Sequence, residues 1–321
     1  MSFFIKSPGA LSTIQDMGAV GHLAEGFPAA GAMDRYSAAL ANILVGNGTG
    51  EAVVEMTMKG MCITFLDRTV FAVTGADMSP TLDRQKIPMN AAVTAHPGGV
   101  LELGFARTGC LAYLALRGGI DVPRVFGSRS TNLRCSFGGY YGRKLEEGDV
   151  VPVIPTHPLP ESAVSVRSLP YNGVGDKNIS VRAIPGPQDY MFTPAALETF
   201  FSAPYTVSPE SDRMGIRLSG EVLESRDGVD IISDGIVFGS VQVPRSGLPI
   251  VLMADRQTTG GYAKIATVIE ADLPHLAQTR PGDTVRFTLT DSKAATAALG
   301  EMRTVLAQTA AALDAKSKQR R

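Results

Sequence analysis

The chain has 321 residues, with 30 lysines and arginines against 31 aspartates and glutamates, so its formal net charge is −1 at pH 7. This balance argues against a protein that binds nucleic acid through a strongly basic surface. With 44% hydrophobic and 19% charged residues the composition is that of a globular protein, and the length fits about two domains. The 34 glycines and 20 prolines favour short strands joined by tight turns.

The sequence also bears on compartment and metal binding. The first ten residues lack the apolar run of a signal peptide, and no stretch approaches the roughly 18 apolar residues of a membrane helix. We therefore expect a cytoplasmic protein with reduced thiols and no membrane partner. The three cysteines and four histidines are scattered without metal-ligand spacing, so we predict no metal site.

In the first half, short apolar runs bounded by glycine predict strands at residues 69–74, 100–105 and 110–116. Between them and the N-terminus, one helix is predicted from Asp34 to Val45. Asp34 is the expected N-cap, and Gly46 supplies the stop.

The second half repeats this β-rich style after a segment rich in Pro, Ser and Gly. We predict an N-terminal β-barrel domain over residues 1–155, a linker or crossing loop over 156–178, and a C-terminal β-barrel domain over 179–291. Residues 292–321 are predicted to form an Ala-rich terminal helix that ends in a basic tail.

Within the second half, Thr193 and Pro194 predict the N-cap and first residue of a helix that continues to Phe201. Strands are predicted at residues 231–232, 236–243, 249–253 and 285–289, and helical or turn segments at 264–269 and 272–277.

The densest group of polar residues follows the predicted strand at 249–253. A strand end that presents an acid, a guanidinium, an amide, hydroxyls and a phenol within a few residues is suited to binding a carboxylate, an amide or a carboxyphosphate-like anion. A tight turn in which the acid and the arginine pair internally is an equally good interpretation. The group comprises Asp255, Arg256, Gln257, Thr258, Thr259, Gly260, Gly261, Tyr262 and Lys264.

Similar but weaker signals occur elsewhere. Asp212 next to Arg213 suggests an acid that orients a planar donor, although such neighbours are more often a surface pair. Gln15 and Asp16 stand in a comparable turn. Asp34 is fully explained by its N-cap role.

In chain order, these groups resemble the motifs of the biotin-dependent carboxyltransferase family of the allophanate hydrolase subunit 2 type, which includes a component of 5-oxoprolinase and KipA. The resemblance covers roughly residues 8–290. One departure is Ala19, which stands where the family usually has arginine. The matching segments are Gln15-Asp16-x-Gly18, Gly31-Ala32-Met33-Asp34, Leu40-Ala41-Asn42, Gly75-Ala76-Asp77, Gly118-Gly119-Ile120, Gly127-Ser128-Arg129-Ser130-Thr131, Gly142-Arg143, Gly148-Asp149, Gly186-Pro187-Gln188, Ser211-Asp212-Arg213-Met214-Gly215, Gln242-Val243-Pro244, Asp255 to Tyr262 and Gln278-x-Arg280-Pro281-Gly282.

The resemblance implies cyclophilin-like β-barrels and a hetero-oligomeric enzyme. Family members pair with a KipI-like component B and, in 5-oxoprolinase, also with a lactam-utilisation component A. The expected function is therefore component C of an enzyme that opens the lactam of 5-oxo-L-proline to L-glutamate at the expense of ATP. We expect ATP to be used by the assembled enzyme and little activity from this chain alone.

Two other functions remain open. One is the carboxyltransferase component of a urea or allophanate-type enzyme, which would use carboxybiotin on a separate carrier. Biotin is not expected on this chain, because Met58-Lys59-Gly60-Met61 departs from the Met-Lys-Met of carrier domains. The other is a KipA-type regulatory protein that binds a KipI-like kinase inhibitor.

For the lactam reaction, the carbonyl needs activation and the developing negative charge needs preorganised donors. We expect Arg213, Arg256 and the backbone of residues 258–261 to supply them, one arginine to clamp the substrate carboxylate, and Lys264 or Tyr262 to assist proton transfer or phosphate binding. This hypothesis requires the Arg213 and Arg256 turns to lie side by side along an anion-binding cleft. The predicted substrate-binding residues are Gln15, Asp16, Asp34, Asp212, Asp255, Gln257, Thr258, Thr259, Gly260 and Gly261.

Overall fold

The computed structural model describes residues 1–157, 159–170 and 174–319. The chain divides into two compact units. The first unit comprises residues 1–20, 30–174 and the chain from residue 303 onward, and the second comprises residues 21–29 and 175–302. The predicted basic tail includes Arg320 and Arg321, which lie outside the described residues, as do parts of the predicted linker.

The strands of the first unit form two sheets. A six-stranded sheet has the order β11-β1-β4-β9-β6-β7, and a five-stranded sheet has the order β2-β3-β10-β5-β8. Their pairings within the sheets are antiparallel. The bounds are β1 Ser2–Ser7, β2 Leu11–Gln15, β3 Val53–Thr57, β4 Cys62–Phe65, β5 Thr69–Gly75, β6 Thr81–Leu82, β7 Gln85–Lys86, β8 Ala92–Ala95, β9 Val100–Glu102, β10 Leu111–Leu116 and β11 Val150–Pro152.

The two sheets contribute to one apolar core, which includes Phe3, Ile14, Phe65 and Phe71, all with no solvent exposure. Every residue of β10 is buried, because the helix α1 (Arg35–Val45) packs on β5 and β10. A strand covered on both faces reads as a continuous apolar run, which is why this one was predictable.

The helix α1 forms where its sequence predicts. The Asp34 side chain accepts a hydrogen bond from the Ser37 amide, and Gly46 adopts a left-handed conformation (φ 76°) at the C-cap. A second helix of this unit, α2, spans Glu161–Val164.

The second unit is built around a closed seven-stranded barrel with the order β12-β19-β16-β17-β14-β13-β20. The parallel pair of β12 and β20 closes it. A separate two-stranded ribbon is formed by β15 and β18. The bounds are β12 Asn178–Pro185, β13 Pro204–Val207, β14 Gly215–Ser219, β15 Asp230–Gly235, β16 Ser240–Gln242, β17 Ile250–Leu252, β18 Thr259–Tyr262, β19 Lys264–Val268 and β20 Thr284–Leu289.

Three helices complete the architecture: α3 (Pro194–Ser202), α4 (Leu273–Ala277) and α5 (Ser292–Gln319). Helix α3 begins with the predicted Thr193 cap, and its Phe200 stacks on Phe287 of β20 at 4.4 Å between ring centroids. Among the residues that the structure describes, no helix is long and apolar enough to cross a membrane.

The predicted mainly β fold with a barrel, a few short helices and a C-terminal helix is confirmed. One element prediction was wrong and another was right only in part. Residues 264–269 were expected to be helical or turn, yet Lys264–Val268 is the barrel strand β19. Short apolar runs fit either element by periodicity, and this run is a strand because it pairs with β12 and β16 in the barrel. Only Ser240–Gln242 of the predicted strand 236–243 is extended in the barrel.

Candidate functional site

Arg213 and Asp255 form the centre of a charged group in the second unit. Arg213 donates through Nε to Oδ2 of Asp255 at 2.9 Å and through Nη2 to Oδ1 at 3.0 Å. The side chains are only 10% and 7% exposed. Their backbones also join, because the Asp255 amide donates to the Arg213 carbonyl at 2.8 Å. Two nitrogens of the Arg213 guanidinium thus donate to the same carboxylate, that of Asp255, in a bidentate pair.

Asp212 does not orient Arg213, contrary to the sequence prediction. Its Oδ1 accepts from the amides of Met214 at 2.8 Å and Gly215 at 3.2 Å. An aspartate followed by glycine readily closes such a turn on its own backbone. The orienting acid is Asp255, which is distant in the sequence and brought close by the β14–β17 pairing.

Arg256 is 5% exposed and faces inward beside Asp255. Its Nε donates to the Ile236 carbonyl at 3.4 Å and its Nη1 to the Met253 carbonyl at 3.2 Å. The guanidinium also lies over the Phe238 ring, 5.5 Å from the centroid. The predicted internal pair of Asp255 with Arg256 is therefore replaced by the pair of Asp255 with Arg213.

Lys264 is the third cation of the group, and it is 2% exposed. Its Nζ lies 2.5 Å from Oδ2 of Asp234 and 3.0 Å from the Gly235 carbonyl. The Asp234 side chain is 52% exposed, so the pair has an outer, solvent-facing side. The hydrogen bond from Lys264 lowers the pKa of the Asp234 carboxyl and keeps it ionised.

Gln188 ties this pair to the barrel. Its Oε1 accepts from the Lys264 amide at 3.2 Å, and its Nε2 donates to Asp234 at 3.3 Å. Sequence reasoning placed Gln188 in a family motif but did not predict a role at the site. Asp234 had no signal of its own, since an aspartate before glycine on an exposed strand looks like an ordinary turn.

The segment predicted as a glycine-rich turn is partly a strand. From Thr259 to Tyr262 it pairs with β15, with Gly260 opposite Asp234. A Cβ on Gly260 would lie 2.6 Å from Nε2 of Gln242 and 2.6 Å from Cδ1 of Ile236, so a larger residue here would require the ends of these two side chains to shift. Gln257 and Thr259 are exposed, and Thr258 and Gly261 are half-buried. Tyr262 is 39% exposed, and its carbonyl accepts from Gln242 at 3.3 Å.

The Arg213 and Arg256 turns therefore lie together in the second unit, but the two guanidinium groups are enclosed. Direct contact of either arginine with substrate stays a prediction. Asp234 and Tyr262 are exposed side chains of the cluster, whereas Lys264, which donates to Asp234, is itself only 2% exposed. Lys264 and Arg256 donate to the consecutive carbonyls of Gly235 and Ile236, so one short segment holds both cations.

The predicted residues Gln15, Asp16 and Asp34 belong to the first unit. The Asp16 carboxylate accepts from the Gly18 amide at 2.8 Å, the Ser128 and Ser130 hydroxyls at 2.6 Å each, and the Arg129 amide at 2.6 Å. This carboxylate holds two family motifs together, and its oxygens are engaged by the chain itself.

Gln15 and Asp34 are both buried. The Gln15 amide donates to Thr13 and to the Thr131 carbonyl, each at 3.0 Å, while its buried Oε1 has no hydrogen-bond partner among the described residues. Asp34 accepts from the Ser37 amide at 2.8 Å and hydroxyl at 2.6 Å. The N-cap interpretation of Asp34 is confirmed.

Beside Asp34 lies a buried pair that sequence reasoning missed. The Tyr113 hydroxyl donates to Glu55 at 2.8 Å and accepts from the Asp34 amide at 2.8 Å. Burial first, and then the Glu55 charge, raise the pKa of Tyr113 well above its usual value. The available signal was a glutamate inside the apolar strand Val53–Thr57, because a charged residue there needs a buried partner.

A family model and individual relatives agree on the family to which this chain is similar. The family described as carboxyltransferase domain, subdomain A and B, matches residues 25–289. The chain is 38% identical over 279 residues to component C of the 5-oxoprolinase of Escherichia coli (strain K12), covering 87% of this chain and 88% of that protein.

Longer proteins contain a similar region. The chain is 36% identical over 302 residues to "Urea amidolyase" of Saccharomyces cerevisiae, covering 88% of this chain but 16% of that protein. The crystal structure of the K. lactis urea amidolyase superposes with a TM-score of 0.88 at 30% identity, over 96% of this chain and 20% of that one. This chain thus spans about a fifth of that protein's length.

Proposed function

The chain belongs to the carboxyltransferase domain family, and from that premise we propose that it is component C of an ATP-dependent 5-oxoprolinase, which converts 5-oxo-L-proline to L-glutamate. The observation that carries this proposal is the 38% identity to the 5-oxoprolinase component of Escherichia coli over almost the whole length of both chains. A second relative with the same name, from Haemophilus influenzae, is 38% identical over 276 residues.

Within the described cluster, we assign the substrate carboxylate to Lys264 in preference to the two arginines. Lys264 already receives the carboxylate of Asp234, and that carboxylate is half exposed. Since the Lys264 side chain itself is only 2% exposed, a substrate carboxylate reaches this ammonium by taking the place of the exposed Asp234 carboxylate. Arg213, by contrast, is held by Asp255 in a pair that is almost fully buried, so its role is to position the Asp255–Arg256 turn.

Opening the lactam requires a stabilised charge on the carbonyl oxygen and a proton for the leaving nitrogen. Tyr262 is the exposed proton donor of this cluster. Arg256 donates a hydrogen bond to the backbone carbonyl of Ile236, the residue that follows the ribbon strand β15. This contact fixes the end of the ribbon that holds Asp234, the partner of Lys264. These roles explain why three cations are gathered at one end of the ribbon.

We assign ATP to the assembled enzyme and not to this cluster. Polyphosphate binding calls for several available donors at once. Arg213 is held by Asp255 and Arg256 by backbone carbonyls, and Lys264 is assigned to the substrate carboxylate. The partners that we propose are a KipI-like component B and a lactam-utilisation component A. A cytoplasmic location agrees with Cys62, Cys110 and Cys135, which form no disulfide with one another in the described part of the chain.

The test is reconstitution. The chain is purified alone and together with the proteins encoded by neighbouring genes, and ATP-dependent release of glutamate from 5-oxo-L-proline is measured. We expect turnover only from the complete set. Full turnover by the single chain, or none by an assembled complex, contradicts the proposal.

A second candidate is a carboxyltransferase component that acts on urea. The observation that favours it is the TM-score of 0.88 to the urea amidolyase structure over 96% of this chain. It predicts bicarbonate- and ATP-dependent carboxylation of urea when a biotinylated carrier and a biotin carboxylase are supplied. Running both assays on the same preparation separates the two functions.

A further inference from the structure

The first unit has an open cleft that plays no part in the proposed reaction. Its volume is about 540 Å³, within the usual range for binding sites. Apolar and aromatic residues dominate the wall, among them Pro123, Val125, Phe137, Tyr141 and Val150. Tyr141 is 82% exposed and Val150 46%, so two large apolar side chains stand at the cleft without cover.

One wall is the segment 136–142, which we call the aromatic loop. Its backbone is held in costly conformations: Ser136 has φ 52° and Tyr141 φ 56°, in the left-handed region that bulky residues avoid. Gly138 and Gly139 lie so close to Ser130 and Thr131 that a Cβ on either would overlap them. Residues in sparsely populated backbone conformations cluster at binding and active sites, which makes this loop a candidate for recognition.

The loop presents Tyr141 rigidly. Its neighbour Tyr140 is fixed by a hydrogen bond from its hydroxyl to the Val150 carbonyl at 3.1 Å and by the Arg143 guanidinium, 5.3 Å from its ring centroid. Arg143 is itself held by two hydrogen bonds to Asp149. The Tyr141 ring packs edge-on against Tyr140 with centroids 4.7 Å apart. A rigid exposed tyrosine loses little entropy on binding, which is why tyrosine is frequent at protein interfaces.

The charge of the cleft limits what it can bind. Asp121 supplies the one ionisable carboxylate of the described lining, which has no lysine or arginine. Asp121 is exposed, and no described residue forms an ion pair with it. An anionic ligand such as a nucleotide is disfavoured here, whereas a positive charge beside an apolar group is favoured.

The edge strand β11 also excludes one binding mode. The Val150 carbonyl accepts from Tyr140 and the Pro152 carbonyl from the Asp121 amide. These backbone acceptors are occupied, so a partner strand cannot extend the sheet through them. A partner must instead place its side chains against the aromatic and proline residues of the cleft wall, which is how polyproline II segments are recognised.

We propose that this cleft binds an extended, proline- and leucine-rich segment of a partner polypeptide that carries one basic residue. The apolar residues of the segment pack between Tyr141, Pro123 and Val150, and its basic side chain pairs with Asp121. This proposal concerns an interface of the first unit and does not depend on which reaction the assembled enzyme performs.

The test uses the full chain and two fluorescein-labelled synthetic peptides of prolines and leucines, one with a central arginine and its twin with glutamate. We expect saturable binding of the arginine peptide by fluorescence anisotropy. Tyr141→Ala and Asp121→Asn should each weaken it about tenfold or more, and the glutamate twin should bind as weakly. The matched control is Tyr190→Ala, since Tyr190 is 67% exposed in the second unit.

A second variant guards against misfolding. Asparagine tolerates the left-handed backbone far better than tyrosine, so Tyr141→Asn should fold with an unchanged or raised Tm while losing peptide binding. Higher stability with lost binding identifies a recognition role. Equal binding by wild type and both Tyr141 variants, no binding to wild type, or equally tight binding of arginine amide alone overturns the proposal.

Failure of this interface and failure of the enzymatic function are distinguishable. Peptide binding without 5-oxoproline turnover in the reconstituted complex rejects the function and keeps the cleft. Turnover by a complex whose chain does not bind the arginine peptide rejects the cleft and keeps the function.

Discussion

The two units hold polar clusters of opposite kinds. In the first unit the cluster is acidic: half-buried Asp16 and buried Asp34 are surrounded by amides and hydroxyls of their own chain. The buried cation of that unit, Arg167, pairs elsewhere, with Asp314. In the second unit the buried charges include three cations, and one of them, Lys264, is paired with an exposed carboxylate. The first arrangement ties loops together, whereas the second holds a buried cation against a carboxylate that is itself exposed.

This difference predicts a structural role for the acidic cluster and a catalytic role for the cluster around Lys264. A carboxylate that accepts four hydrogen bonds from its own chain has no remaining capacity for substrate, so its removal should act on stability. A buried ammonium whose partner is half exposed can exchange that partner for another carboxylate. Both clusters lie in segments that match family motifs. They differ in whether their charged side chains are enclosed by the chain or paired with a side chain that is exposed to solvent.

The largest expected effect is the loss of folding stability when the Arg213–Asp255 ion pair is broken. Asp255→Ala removes a carboxylate from a nearly buried guanidinium and should lower the free energy of unfolding by about 3–5 kcal/mol. Denaturant titration measures this loss. The control is Asp230→Ala, which breaks the exposed Arg245–Asp230 pair (side chains 79% and 53% exposed) and should cost at most about 1 kcal/mol. Equal losses would mean that burial does not matter for these pairs.

The next effect is on catalysis. Lys264→Met removes the ammonium and should lower 5-oxoproline turnover by the assembled enzyme about 100-fold or more, as the loss of one charged donor typically does. Lys293→Met, at an exposed position of α5, is the matched control and should leave turnover unchanged. Wild-type turnover by Lys264→Met would remove Lys264 from the site.

The acid cluster should behave in the opposite way. Asp16→Ala leaves several buried donors unsatisfied and should cost about 2–3 kcal/mol of stability, and Asp34→Ala should cost about 1 kcal/mol through loss of the N-cap. Thermal unfolding gives both values. If both units are folded at the assay temperature, the turnover per folded molecule should stay at the wild-type level. A specific loss of turnover would assign these acids to the site.

The smallest effect concerns high pH. The pKa of Tyr113 is raised in the folded state, so the folded chain holds this proton more tightly than the unfolded chain. The resulting stability is complete below the unfolded value of about 10 and is lost as the pH rises toward the folded value. Urea midpoints from pH 8 to 11 should fall for the wild type. Tyr113→Phe should show a shallower fall, whereas Tyr190→Phe should follow the wild type.

Much of the fold was predictable because it rests on local signals. The cap residues Asp34 and Thr193 and the apolar run of β10 each act within a few neighbouring residues, so their elements appeared where the sequence predicts. The strand β19 was missed because its short apolar run suits helix or strand equally. The barrel register, which decides between them, depends on residues far away in the chain.

The amino-acid sequence alone was enough to indicate the family, the β-rich fold class and the polar residues that gather near glycines. Tertiary structure decided which of those residues face one another. It paired Arg213 with Asp255 instead of Asp212, and Lys264 with Asp234, which no local pattern indicated. The physical reason is that an ion pair depends on distance in space and on burial, and both are set by how the strands associate.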